Sequence, residues 1–369
     1  MEEDFPKVAL VHDWLTYPAG AEQVLYALAE IFQEAPIYTL VADQKAFFNT
    51  LLASRKIRTS FLQRLPASRK YYRYLLPLFP LAIEQFDLSA YEVIISSSTC
   101  VAKGVLVRSD QLHVCYCHTP MRYAWDLYHA YMGSLKGFKA LWARVFLHYL
   151  RLWDVLSSQR VDYFLANSRF VARRIAKVYG RKAWIIYPPV DTDFFRPVHK
   201  ERGNFYLTVC RLVPYKRVDL LVEAFRKRPD RFLVVVGKGP EEKKLRRRAP
   251  SNVKFLGACS REKIRELLQQ CRGFVYAAEE DFGISLVEAQ ACGTPVLCYG
   301  KGGALETVLP FQTGIFFEFQ TPESFLEALE IFEKQKFDQE LLRKHAQQFS
   351  KKCFRENFLS WWAQTIATH

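Results

Sequence analysis

The sequence has 369 residues, half of them apolar and 24% charged. This excludes a disordered chain and leaves room for two ordinary cores. A formal net charge of +14 suits an anionic partner (nucleic acid, a lipid surface or a phosphorylated substrate) but does not choose among them.

The chain opens MEEDFPKVALVHDW, without the pattern of a secretory leader, and no run of 18 apolar residues occurs. A cytoplasmic protein, at most peripheral to a membrane, is expected. Nine cysteines, an odd number, lie in stretches such as FYLTVC and TPVLC, which argues for buried free thiols over a disulfide framework. VALVHDW at 8–14 reads as a buried parallel strand, followed by the loop TYPAGAE, a helix pattern at 24–32 and a strand at 35–41. That is a unit of a doubly wound sheet. Further strands are expected at 91–98, 112–118, 163–168 and 183–189, with a mainly helical, aromatic stretch at 119–160 packed over the sheet.

Pro188–Pro189 and the following turn make a stiff break over 188–197, the expected interdomain linker. A second series then begins, with strands at 205–210, 232–237 and 273–278 and helices at 218–228 and 323–334. The expected fold is α/β: two Rossmann-like parallel-sheet domains facing across a cleft. The N-terminal, acceptor-side domain spans 1–190 and the donor domain 198–345. A helical segment over 346–369, with Trp361 and Trp362, is expected to cross back to the first domain.

Ligands of such sheets bind beyond the carboxyl ends of the strands. The loop after FYLTVC reads RLVPYKRVD, placing Arg211 at the strand exit and Lys216 before a helix. Two cations there suit a diphosphate. In EEDFGISLVEA, Glu280 follows a strand and Gly283 opens the next helix. The first-turn amides, including those of Ile284 and Ser285, suit an anion. Glu288, one turn further on, can accept from a ribose diol, and its apolar setting calls for a partner.

These residues resemble a known group. RLVPYKRVD, the spacing from Glu280 to Glu288 and the following EAQACGTPV are similar to glycosyltransferase family 4, retaining enzymes of the GT-B fold, over nearly the whole chain. The resemblance implies a nucleotide-sugar donor, hexosyl transfer, no tightly bound cofactor and no metal. It implies that Arg211 and Lys216 hold the diphosphate, Glu280 the donor sugar and Glu288 the ribose, and that Gly283, Ile284 and Ser285 offer amides to phosphate or sugar. Gly20 in YPAGAE matches the family's glycine loop, although Ala19 stands where a second glycine is usual.

His118, at the exit of LHVCYC, is a candidate proton donor or hydroxyl ligand; the resemblance brings it to the donor sugar or leaving phosphate. The string HTPMRYAWD resembles a mannosyltransferase-like branch concerned with polysaccharide and lipid-linked glycan synthesis. That implies GDP-mannose, with UDP-hexose as the alternative, and a saccharide or lipid-linked glycan acceptor. Asp13, Arg122, Tyr123, Trp125 and Asp126 are the candidate acceptor-side residues. Asp191-Thr192-Asp193 has the form of a metal-binding DxD motif, but turn formation after two prolines explains it. The turn Lys301-Gly302-Gly303 offers further amides. Two other readings are an epimerase or hydrolase on the same scaffold, and a non-catalytic basic binding protein.

Between Asp43 and Glu84 the sequence has eight basic residues and no acidic one. Over 45–76 these cations interleave with Phe61, Leu62, Leu65, Tyr71, Tyr72 and Tyr74. The pattern reads either as a surface for anionic lipid or as a solvated helical face over a core. Nucleic acid is not expected, since no recognised motif accompanies the charge.

Overall fold

The computed structural model describes residues 6–17, 20–48, 50–133, 135–198 and 201–366; Ala19 lies outside them. The chain divides into two compact units, Met1–Tyr187 and Pro188–His369, so the division falls at the diproline.

The first unit holds seven strands: β1 Val8–His12, β2 Ile37–Thr39, β3 Ile57–Thr59, β4 Val93–Ser98, β5 Leu112–Cys117, β6 Tyr163–Ala166 and β7 Ala183–Ile185. Their order is β3-β2-β1-β4-β5-β6-β7, and every pairing is parallel. β1 and β4 are buried along their whole length, which is why they read as continuous runs and not as alternations. The helix Arg169–Tyr179 shows its limits in sequence. Ser168 caps its start by accepting from Val171 N–H, and Gly180 ends it at a φ of 67°, a conformation that favours glycine.

The second unit holds β8 Phe205–Val209, β9 Phe232–Val236, β10 Val253–Gly257, β11 Gly273–Tyr276, β12 Val296–Tyr299 and β13 Gly314–Phe317. Their order is β10-β9-β8-β11-β12-β13, again parallel. Val218, Leu221, Phe225, Phe325, Leu329 and Phe332 from two helices join one core with the apolar residues of these strands. Each sheet therefore reverses its strand order once, between β1 and β4 and between β8 and β11. Those two switch points are where this topology opens a crevice for ligand.

The basic segment is not one helix. It runs as short helical turns around β3, an unforeseen edge strand. Leu62 and Tyr72 are core residues, and Phe61, Leu65, Leu75 and Leu76 pack against that core. Arg55 donates to Ala29 O at 2.7 Å and Arg58 to Tyr38 Oη at 2.9 Å. Most of the segment's apolar surface is thus turned inward, while Phe48, Leu51, Tyr71 and Tyr74 point outward.

The long helix Gly137–Ser158 does the opposite. Ala140, Leu147, Leu150, Trp153 and Asp154 are buried on one side. The other side carries Phe138, Leu141, Trp142, Val145, Tyr149 and Leu152, all more than half exposed. Among the described residues no helix is long and apolar enough to cross a membrane.

Candidate functional site

In the second unit the switch point gathers the predicted donor residues. Lys216 follows β8 and Glu280 follows β11, 64 positions apart, and their side chains form an ion pair in which each is 14% exposed. The Lys216 ammonium lies 5.3 Å from the ring centre of Tyr215 and 5.5 Å from that of Tyr276. Tyr276 Oη also donates to Glu280 Oε1. Burial alone would lower the Lys216 pKa; the attraction of Glu280, aided by Tyr215, outweighs it and holds the ammonium above its ordinary value. Arg211 is exposed at the exit of β8, with no acidic partner among the described residues.

Gly283 takes a φ of 95° ahead of the helix Ile284–Ala291, and no side chain caps that helix. Its first-turn amides, at Ile284 and Ser285, are left for another acceptor. Glu288 lies one turn on. Among the described residues its carboxylate has neither a hydrogen bond nor an ion pair. Burial raises its pKa to about 7; Arg261 opposes that shift and Asp191 adds to it.

Glycines bring these loops together. A Cβ at Gly237 would stand 1.8 Å from Cys210 O, and one at Gly239 would stand 2.1 Å from Leu212 O. The loop after β9 therefore lies against the one carrying Arg211, a close approach that the string VVVGKGP signals only by its glycines. The Lys301-Gly302-Gly303 turn departs from expectation. Gly303 N–H donates to Glu280 O at 2.7 Å, so that amide positions Glu280 and is not available to a ligand.

In the first unit, Asp13 requires correction as an acceptor-side residue. It is 1% exposed. Its Oδ2 accepts from Thr99 N–H, Thr99 Oγ1 and Cys100 N–H at 2.6, 2.8 and 3.0 Å. Its Oδ1 accepts from Val101 and Ala102 N–H, both at 2.7 Å. Five donors saturate the carboxylate, which pins the loop after β4 across the switch point.

His118 is 7% exposed and ends a chain of polar groups. Its Nε2 is 2.8 Å from Ser97 Oγ, which is 3.1 Å from His12 Nδ1. His12 Nε2 stands 3.7 Å from Glu22 Oε1. Burial, with the neighbouring His12, lowers the His118 pKa to about 3, so the ring is neutral at physiological pH. Glu22 Oε1, facing His12 Nε2, favours a proton on that nitrogen. His12 Nδ1 then accepts from the Ser97 hydroxyl, and Ser97 Oγ accepts from His118 Nε2–H. This leaves Nδ1 of His118 as an acceptor, a role suited to a sugar hydroxyl and not to proton donation.

The HTPMRYAWD string is held mainly by protein contacts. Tyr123 Oη is 2.7 Å from Cys100 Sγ and donates to Met121 Sδ at 3.5 Å. Asp126 pairs with Arg174. Trp125 Nε1 donates to Asp154 Oδ2 at 2.8 Å. Asp154 is fully buried, pairs with Lys103 and accepts from Tyr179 Oη at 3.0 Å. Trp125 and Asp126 also line an open depression of about 580 Å³, together with Tyr128, His129, Arg151 and Lys177. Arg122 is partly buried, and Gly20 begins the helix Gly20–Ile31.

Asp191 accepts from Lys351 Nζ at 2.8 Å, Arg261 Nη2 at 3.3 Å and Phe194 N–H at 3.3 Å, which occupies it as a turn and ion-pair residue. Among the described residues no three His, Cys, Asp or Glu side chains form a group able to hold a metal.

Two families match in tandem. Residues 18–194 match Glycosyltransferase Family 4 and residues 189–352 match Glycosyl transferases group 1. The chain is a relative of these glycosyltransferases and has their GT-B fold. A GDP-mannose-dependent monoacylated alpha-(1-6)-phosphatidylinositol monomannoside mannosyltransferase of Corynebacterium glutamicum is 34% identical over 205 residues, 45% of this chain and 54% of that protein. The chain thus spans about half the length of the curated relatives it matches. Anabaena Alr3699/HepE, solved with UDP and glucose, superposes with a TM-score of 0.71 at 19% identity, over 99% of this chain and 100% of that one. Sucrose-phosphate synthase from Thermosynechococcus elongatus does so with a TM-score of 0.73 at 16% identity, over 99% and 100%.

Proposed function

We propose that this chain transfers a hexosyl group from a nucleoside diphospho-sugar to a saccharide or lipid-linked glycan. One observation carries the reading. Lys216 and Glu280, from two strand ends, meet at a switch point beside an uncapped helix that bears the unpartnered Glu288. In this reading the donor diphosphate lies against Arg211, Lys216 and the amides of Ile284 and Ser285, which meet the charge that develops on the leaving group. Glu288 accepts from the ribose diol. Glu280 holds Lys216 in place and accepts from the transferred sugar. In the first unit, His118 Nδ1 is an acceptor for a sugar hydroxyl.

For the donor, UDP-hexose is the first reading, because the fold relatives that span the whole chain include Anabaena Alr3699/HepE solved with UDP-glucose. GDP-mannose is the second, favoured by the curated relatives named for it and by HTPMRYAWD. Calorimetry with UDP-glucose, UDP-galactose and GDP-mannose separates them. Ala variants of Lys216 and Glu288 test the site itself: transfer kinetics equal to the parent's would remove it. Turnover without any acceptor would favour the epimerase or hydrolase reading instead.

A further inference from the structure

The helix Gly137–Ser158 poses a problem that glycosyl transfer does not solve. Phe138 is 72% exposed, Trp142 61%, Val145 59% and Leu156 66%. Leu141, Tyr149 and Leu152 fill the gaps at spacings of three and four, so one uninterrupted apolar stripe runs about 27 Å along the helix. A contiguous exposed stripe of this kind marks an interaction surface.

The charge around it selects the partner. From 127 to 161 the only acidic residue is Asp154, and it is buried and paired with Lys103. Every ionised side chain that this stretch presents outward is therefore basic. Lys136, Lys139 and Arg144 are exposed along the helix, and among the described residues none of the three has an acidic partner. A symmetric contact between two copies of this face would set these cations against their own kind. An anionic lipid surface takes both components: acyl chains and interfacial depth for the rings and aliphatic groups, headgroup charge for the cations.

We infer that the outer face of the helix Gly137–Ser158 is a docking surface for an anionic lipid bilayer, on which the helix lies flat without spanning. Trp142 and Tyr149 sit at headgroup level, Leu141, Val145 and Leu152 enter the acyl boundary, and Lys139 and Arg144 face lipid phosphates. Arg151, on the flank of the same helix, lines the depression that holds Trp125 and Asp126. The face thus borders one of the candidate acceptor-side surfaces. The inference is independent of donor chemistry, because the helix shares no residue with the donor site.

The test is co-sedimentation of the full chain, without nucleotide, with vesicles of pure phosphatidylcholine or of phosphatidylcholine with 30% phosphatidylglycerol. Strong pelleting is expected with the second and little with the first. The double variant Trp142→Glu with Tyr149→Glu is expected to lower partitioning at least ten-fold, with its thermal melt and donor affinity unchanged, since both side chains are exposed. Arg69→Ala with Lys70→Ala is expected to change it less than two-fold. Equal pelleting by the parent and the Glu variant would overturn the assignment. So would equal affinity for both vesicles, or a dimer in sedimentation velocity that the Glu variant dissolves while vesicles pellet nothing.

Discussion

Ser97 Oγ lies 2.8 Å from Nε2 of His118. The same oxygen is 3.1 Å from His12 Nδ1, so one hydroxyl on β4 couples two buried imidazoles on either side of it, His12 at the end of β1 and His118 just past β5, and fixes which nitrogen of His118 faces outward. Ser97→Ala leaves two ring nitrogens without a partner. A stability loss of about 1–3 kcal/mol is expected in chemical denaturation, with transfer slowed by on the order of 10–10²-fold. Nitrogen-15 NMR of the imidazoles is expected to show a mixture of His118 tautomers in the variant and a single one in the parent. Ser97→Thr, which keeps the hydroxyl, restores both properties if the coupling is as described.

Lys216→Ala removes the cation paired with the Glu280 carboxylate and, in the proposed donor site, one of the two charges that meet the diphosphate. A fall of on the order of 10²-fold in kcat/KM is expected, together with weaker binding of the free nucleoside diphosphate in calorimetry. Free-nucleoside affinity should be nearly unchanged, because no phosphate is present for Lys216 to meet.

In the proposed donor site, Glu288 is expected to make donor affinity depend on pH. Its pKa is held at about 7, first by burial, and only the ionised carboxylate is a full acceptor for a ribose diol. Affinity is therefore expected to rise as pH increases from 6 to 8, and Glu288→Gln is expected to flatten that profile. For the free protein the sign runs the other way. Unfolded, the carboxyl ionises from about 4.5 upward, whereas the folded chain keeps the proton to about 7. Between these values the folded state binds more protons, so this group's contribution to stability falls as pH rises. At pH 8 Glu288→Gln is expected to stabilise the unliganded protein, by on the order of 1–3 kcal/mol. Urea denaturation at pH 5 and pH 8 checks this.

Asp154→Ala takes from Lys103 its buried counter-charge and from Trp125 and Tyr179 their acceptor. Removing one member of such a pair typically costs about 3–5 kcal/mol. A large drop in melting temperature is expected, exceeding that of any single substitution on the helix's outer face. Replacing Lys103 and Asp154 together with Met and Leu should recover much of it, since no orphan charge remains.

The residues of the candidate donor site are legible because charged side chains at strand exits stand out against apolar runs, and the topology that unites Lys216 with Glu280 follows from right-handed parallel connections. Asp13 looked the same in sequence, yet the loop after β4 folds over it and consumes its carboxylate. His12 and Ser97 looked like ordinary strand residues, because their meeting depends on the register of β1 against β4, which pairs them directly. β3 escaped notice because an edge strand of three residues carrying Arg58 has too little apolar surface to show a pattern. The basic segment and the long helix share one limit of sequence reading. Composition places rings and cations on an element but does not say which face the rest of the fold will cover.

The long helix is fastened from within and displayed from without, by different residues. Asp154, Trp153 and Leu150 hold it, while Trp142, Val145 and Tyr149 take no part in that hold. Its outer face can be rewritten as if it were a label, for a glass slide, a polymer bead or another lipid, and the interior would carry each new inscription unchanged.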